Sequence, residues 1–441
     1  MTEVSVMWFR RDLRLGDHPA LDRAASEGGV LGLFVVDPTL LDASGAPRAA
    51  YLHDCLSVLD RSMGGRLVVR HGRPADVVAT VADEVGAASV FVTRDHGPYG
   101  RRRYAEVADR LGDHGRRLRG VGSNYAVEPG TIRKADDTAY AVFTPFSRKW
   151  REQFDERADD QQPGAVDGVS WVEATGDGLF DRPDPGCELP PAGEEAALER
   201  WQHFLDHGID RYHERRDTPS VDGTSRLSPH LKWGTVHPRT LLADLHERGG
   251  LDPDGHRVFA SELAWRDFYA DVLFHQPHTA WSNLDTKMDA MRVDDGDAAR
   301  KRFERWSEGR TGYPIVDAGM RQLLASGWMH NRVRMIVASF LVKDLHVPWQ
   351  WGAQHFMDHL VDGDLASNNH GWQWAAGTGT DAAPYFRVFN PTTQQDRYDP
   401  DGTYVQRWVP EVGGDDEIEP IVDHAEERKE ALARYKAVTG G

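Results

Sequence analysis

The sequence predicts two architectures in succession, an α/β N-terminal domain on a Rossmann-like parallel sheet and an all-α C-terminal domain. Three observations carry this. Short apolar runs at residues 4–9, 31–36, 67–70 and 89–93 alternate with alanine-rich amphipathic stretches such as 49–63 and 74–85, the rhythm of βαβ units. From about residue 156 to 194 the pattern dissolves into Asp, Gly, Pro and Gln. Beyond Glu195 strand signals vanish and apolar residues recur at helical spacing.

Each element has its own reason. The four runs are β-rich and nearly uninterrupted, as strands buried on both faces must be, which sets an α/β domain at residues 1–130. A connector follows at 131–194, where segments such as Asp159-Asp160-Gln161-Gln162-Pro163-Gly164 bury too little apolar surface to order themselves. Residues 195–441 form the helical domain, with helices expected at 196–205, 238–248, 258–274, 314–325, 330–345, 348–360 and 426–437.

Composition narrows the function. No run approaches the ~18 to 20 apolar residues of a membrane span. The start places Arg10 and Arg11 after its apolar stretch, the wrong order for a secretory signal, so a cytoplasmic location is expected. Cys55 and Cys187 are far apart, which indicates neither a disulfide framework nor a thiolate metal site. A net charge of -18 argues against nonspecific coating of nucleic acid, so any DNA contact requires a local basic face.

The most informative run is Asp362-Gly363-Asp364-Leu365-Ala366-Ser367-Asn368-Asn369-His370-Gly371-Trp372-Gln373-Trp374. A solvated loop has no reason to hold paired indoles, and a core helix none to hold carboxylates and amides; a buried, polar, aromatic ligand satisfies both. Gly223-Thr224-Ser225-Arg226-Leu227-Ser228-Pro229 sets three hydroxyls beside a cation, with Ser228 expected as N-cap and Pro229 at the first helical position. Taken alone it reads as a plain helix start. Glu262, Trp265 and Arg266 fall at i, i+3 and i+4 on one helix face, and Asn331, Arg334 and Met335 share another. Alone, these read as a salt bridge beside a packed tryptophan and as an amphipathic helix. His355 and His359 have zinc-like spacing, but no glutamate follows His355, and no metal is expected. Asp95-His96-Gly97-Pro98-Tyr99-Gly100-Arg101-Arg102-Arg103 is a turn entering a basic helix, with a phosphate site as the alternative.

Together with Trp8-Phe9-Arg10-Arg11-Asp12-Leu13-Arg14-Leu15 and Thr378-Gly379-Thr380-Asp381-Ala382-Ala383-Pro384-Tyr385-Phe386-Arg387-Val388-Phe389-Asn390-Pro391, these motifs resemble the photolyase/cryptochrome family of flavoproteins over nearly the whole chain. The octet Trp328-Met329-His330-Asn331-Arg332-Val333-Arg334-Met335 resembles the form found in photolyases for cyclobutane dimers. The resemblance implies FAD held by Tyr212, Thr224, Ser225, Arg226, Leu227, Ser228, Glu262, Arg266, Asn331, Arg334, Asp362, Asp364 and Asn368. Arg334 would pair with Asp362, and Asn368 would face the flavin N5, where an amide can hydrogen-bond either protonation state. It implies a lesion pocket of Glu262, Trp265, Asn331, Met335 and Trp374, with Arg332 and Arg387 near DNA. Trp372 and Trp349 match the first two members of an electron-carrying tryptophan chain whose third is missing, since no tryptophan occurs between Trp281 and Trp306.

The implied activity is light-driven repair of cyclobutane pyrimidine dimers in DNA by a deoxyribodipyrimidine photolyase, with Glu262, Asn331, Trp349 and Trp372 as its catalytic set. An antenna chromophore would border residues 95–103, 8-hydroxydeazaflavin first, with methenyltetrahydrofolate or FMN as alternatives. The protein is expected to be a monomer acting on damaged DNA. Two rivals stand. A cryptochrome photoreceptor would carry a long disordered extension that this sequence lacks, and a six-four photolyase would carry a histidine pair where Asn331 and Met335 stand.

Overall fold

The computed structural model describes residues 3–156, 168–381, 387–415 and 418–440. Asp159 to Gly164 and the Ala382 to Phe386 part of the family motif lie outside the described residues.

Five parallel strands form one sheet in the order β3-β2-β1-β4-β5. They are β1 (Val4–Phe9), β2 (Gly29–Val36), β3 (Leu67–His71), β4 (Ser89–Arg94) and β5 (Arg117–Ser123). The first four match the apolar runs. β5 was not expected, because Arg117-Leu118-Arg119-Gly120-Val121-Gly122-Ser123 lacks an apolar run; it is an edge strand with a register irregularity opposite Val92 and Arg94. Helices such as Ala46–Ser62, Pro74–Glu84 and Pro98–Asp113 cover the faces, since a parallel sheet exposes neither. Strand order reverses between β1 and β4, and their carboxyl ends project Arg10, Arg11 and Asp12 beside Asp95 and His96.

The connector stretch contains structure that its composition hides. Residues Phe143–Glu156 form a helix. Farther on, Val172 N–H donates to the Val30 carbonyl at 2.8 Å and Asp177 N–H to the Val69 carbonyl at 2.7 Å, so the chain crosses the sheet as an extended strap.

Among the described residues beyond 194 every regular element is helical. The long Asp254–His275 helix lies at the centre of one core cluster with Trp201, Phe204, Phe259 and Phe268. A second cluster gathers Trp306, Phe340, Phe356 and Trp372. The helix expected at 330–345 is Asn331–Ser339 followed by a π-turn, Phe340–Asp344, a rare feature that clusters at functional sites. The Trp349–His359 and Leu365–Ala376 helices pack closely because Gly352 has no side chain; a Cβ there would lie 2.1 Å from the Trp372 ring.

Candidate functional site

A cavity of about 510 Å³ opens among the helices. Its walls come from four places in the sequence: the loop and short helix after Tyr212, the Asp254–His275 helix, the Asn331–Ser339 helix, and the segment from Phe356 to Trp374. Five basic side chains line it (Arg216, Lys232, Arg266, Arg332, Arg334) against three carboxylates (Glu262, Asp362, Asp364). A chain of net charge -18 thus concentrates positive charge here, the local field an anionic ligand requires.

Most expected site residues meet at this cavity. Tyr212, Ser225, Ser228, Glu262, Trp265 and Arg266 line one side. Asn331, Arg332, Arg334, Met335, Asp362, Asp364, Asn368, Trp372 and Trp374 line the other. The i, i+3, i+4 spacings therefore translate into shared faces. Four expected residues, Thr224, Arg226, Leu227 and Trp349, are not among those lining it. Leu227 is buried in the core. The Thr224 carbonyl accepts from Arg200 Nη2 at 2.7 Å. Arg226, at φ +52°, lies over the Trp328 ring at 5.2 Å and pairs with Asp222 at 3.0 Å. Trp349 is buried, with Nε1 donating to Asn283 Oδ1 at 2.9 Å. Arg387 is exposed, and its backbone carbonyl accepts from the buried Lys343 ammonium.

Two local expectations are corrected. Ser228 is the first residue of the Ser228–Trp233 helix rather than its N-cap; Leu227 takes that place without a side-chain bond, and Pro229 stands second. Ser228 Oγ accepts instead from Trp328 Nε1 at 3.3 Å. Nor do Glu262 and Arg266 pair with each other. Glu262 pairs with Arg216 at 2.5 Å, while Arg266 donates to the carbonyls of Asn124 at 2.8 Å and Leu231 at 3.1 Å.

The electrostatics follow from burial and partners. Burial pushes the Glu262 carboxyl above its ordinary range, against the pull of Arg216. Burial would raise Asp364 too, but Arg11, Lys232, Arg266 and the Ser367 N–H hold it well below the usual range. Asp364 caps the Leu365–Ala376 helix and meets Arg11 from the end of β1 at 2.7 Å, tying the sheet to the cavity. Lys232 is pushed down to about 7 by burial and Arg11, with Asp364 opposing. Arg334 pairs with Asp362 Oδ2 at 2.8 Å. The other oxygen, Oδ1, is buried without a partner, as is Trp372 Nε1. Buried polar atoms left unpaired are costly, and both residues line the cavity. Asn368 Nδ2 donates to the Ala353 carbonyl at 3.1 Å and Asn369 Oδ1 at 2.9 Å, which leaves its own carbonyl oxygen as the free end.

Two site features escaped the sequence. Arg216 and Lys232 line the cavity although no pattern near them marks it. Behind Trp372 lies Trp306, ring centroids 6.0 Å apart. Phe303 follows at 5.6 Å and half-buried Trp351 at a further 5.6 Å. His355 joins this aromatic cluster, 5.5 Å from Trp306 and 4.2 Å from His359, and burial pushes its imidazole down to about 3. In the sheet half, Arg103 of the basic helix start lies 3.7 Å from Asp37 and 3.4 Å from Asp95, and Tyr99 donates to Asp37 at 2.5 Å.

The chain matches two family models, DNA photolyase over residues 5–164 and the FAD binding domain of DNA photolyase over residues 259–417. It is 38% identical to a deoxyribodipyrimidine photo-lyase of Halobacterium salinarum, over 99% of this chain and 100% of that one. Among solved structures it is similar to a bacterial class III photolyase from Agrobacterium tumefaciens, with TM-score 0.91, 35% identity and coverage of 100% and 98%. It is also similar to a cryptochrome from Synechocystis sp. PCC6803, with TM-score 0.86, 26% identity and coverage of 98% and 99%.

Proposed function

This chain belongs to the DNA photolyase family, and from that membership we infer that it is a deoxyribodipyrimidine photolyase, reversing cyclobutane pyrimidine dimers in DNA under light. One observation supports this reading best. A single cavity is lined by a carboxylate held by an arginine, Glu262 with Arg216, and by two indoles, Trp265 and Trp374, and two further lining residues, Asp362 and Trp372, each keep a buried polar atom unpaired.

Those unpaired atoms suit FAD. Asp362 Oδ1 needs a donor, and the Asn368 carbonyl offers an acceptor to a protonated ring nitrogen. Tyr212, Thr224 to Ser228, Glu262, Arg266, Asn331, Arg334, Asp362, Asp364 and Asn368 are the proposed cofactor-binding set. FAD, when bound, supplies the light-excited electron that splits the dimer and then returns.

The remaining work belongs to the chain's own groups. Trp265 and Trp374 take the flipped bases between them; stacking on an aromatic ring is worth ~1 to 3 kcal/mol per base and offsets part of the cost of flipping. Glu262, whose carboxyl burial raises, hydrogen-bonds the dimer as negative charge develops on it. Asn331 and Met335 complete that wall, and Arg332 and Arg387 meet DNA phosphates. Trp372 relays electrons inward, with Trp349 as the proposed next member. Trp306 and Trp351, joined through Phe303, are a second way out where a third tryptophan is missing. The turn before the Pro98–Asp113 helix is the proposed border of an antenna pigment, 8-hydroxydeazaflavin or else a folate or FMN. Trp8 Nε1, Arg10 Nη1 and Arg103 Nε, all buried without a hydrogen-bond partner, support this border. Release and chromatography of the pigments identify it.

Among the described residues no helix is long and apolar enough to cross a membrane. A cytoplasmic monomer remains our proposal, tested by fractionation and light scattering. No histidine lines the cavity among the described residues, which disfavours six-four repair. Irradiating the reduced, flavin-loaded protein with dimer-containing and six-four oligonucleotides separates the readings: reversal of the dimer alone supports ours. Reversal of neither lesion moves the photoreceptor reading ahead.

A further inference from the structure

The helix Phe143–Glu156 lies in the stretch that reads as a connector, yet it packs against the Asp254–His275 helix, which forms part of the cavity wall. Phe143, Phe146, Trp150 and Phe154 fall at i, i+3, i+7 and i+11, and all four are buried. This stripe packs on the Asp254–His275 helix. Trp150 Nε1 donates to Asp267 Oδ2 at 2.8 Å, and Phe146 meets Phe268 with ring centroids 5.0 Å apart. The register between the two helices is therefore set at two points, one polar and one aromatic.

At the first turn this register lays Phe143 on Trp265, with centroids 3.7 Å apart and planes 9° from parallel. Free aromatic pairs prefer offset or edge-on contacts to a close face-to-face sandwich, so the helices impose this one. Phe268 and Tyr269 touch the same indole at 5.7 and 5.4 Å, at interplanar angles of 73° and 45°. Trp265 thus has one face covered and its orientation restricted, and it lines the cavity.

We propose that Phe143 is a positioning residue for the dimer: it backs Trp265 so that the indole presents one fixed face to the flipped base. The proposal rests on the repair reading above. Without Phe143 the indole can tilt into the vacated space, and ordering it again on binding opposes affinity. Phosphate contacts and the cofactor end of the cavity do not depend on that face.

The test uses flavin-loaded Phe143→Ala, Phe143→Leu and Phe143→Tyr. It measures flavin content, affinity for a dimer-containing oligonucleotide and for its undamaged counterpart, and repair yield at saturating substrate. The expected result is dimer affinity weakened about tenfold in Phe143→Ala, the size of one stacking contribution, less in Phe143→Leu, and restored in Phe143→Tyr. Flavin content and undamaged-DNA affinity stay at wild-type values. In a Trp265→Ala background, Phe143→Ala has no further effect. Unchanged dimer affinity, equal loss for both oligonucleotides, or a fully additive double variant overturns the proposal. If Phe143→Ala does not fold, Phe143→Leu against Phe143→Tyr makes the same comparison. A wild-type protein without preference for dimers would overturn the repair reading itself and this proposal with it, whereas wild-type preference with indifferent variants counts against Phe143 alone.

Discussion

Two regions of the molecule hold charged groups away from water and reach opposite ends. At the carboxyl edge of the sheet, Asp12 accepts from the Arg10 N–H and Thr93 Oγ1, each at 2.6 Å, and lies 3.2 Å from His18. Arg10 and Arg103 both lie over the Trp8 ring, at 5.0 and 5.4 Å, and Arg103 lies beside the carboxylates of Asp37 and Asp95. In the helical half the same kinds of group surround about 510 Å³ of open space and leave Asp362 Oδ1 unpaired. Asp12, with its partners inside the protein, supports the fold; charge around a hole awaits a ligand.

Substitution should separate these roles. Asp12→Ala strips a buried carboxylate from three partners and should lower stability by ~3–5 kcal/mol in denaturant unfolding, while the folded fraction keeps its flavin. Asp362→Asn should do the reverse, losing flavin from purified protein with little change in unfolding midpoint. If Asp12→Ala empties the flavin and Asp362→Asn unfolds the chain, the comparison fails.

Asp267 joins the two themes, because its carboxylate anchors the Phe143–Glu156 helix yet is pushed up to about 6 by burial, against Arg266, Trp150 and the Val127 N–H. A carboxyl raised on folding contributes stability that is full below its unfolded value near ~4 and is lost as pH rises through about 6. Asp267→Asn should therefore gain on the wild type by ~2–3 kcal/mol between about pH 4 and about pH 8, read from paired unfolding curves. A pH-independent difference would show that the carboxyl titrates normally.

Smaller effects probe the cavity itself. Glu262→Ala should lower repair yield severalfold with flavin still bound, and an unchanged yield removes Glu262 from the chemistry. Trp372→Phe should block photoreduction of oxidised flavin but spare repair by chemically reduced protein. Trp306→Phe should slow photoreduction partially if the Trp306 to Trp351 branch carries current; normal kinetics would assign the traffic to Trp349.

How much of this could be read in the sequence depended on range. β1 to β4 announce themselves because strands buried on both faces must be apolar, whereas β5 at the edge carries Arg117, Arg119 and two glycines. Glu262 with Trp265, and Asn331 with Met335, were legible because helical spacing alone puts them on one face. Arg216 and Arg11 were not: they meet Glu262 and Asp364 across 46 and 353 residues, contacts that only the packed helices create. The Phe143 to Phe154 stripe was there to be seen, but the polar stretch that follows it masked a helix of 14 residues.

The central claim is that the helical cavity uses light to split pyrimidine dimers. Its most direct test is blue-light irradiation of reduced, FAD-loaded protein with an oligonucleotide bearing one cyclobutane thymine dimer, followed by chromatography of the DNA. The account predicts light-dependent return of the two intact thymines over many turnovers, sharply reduced in Trp265→Ala at limiting substrate. Dimers that persist under light, with flavin present and DNA bound, would contradict it.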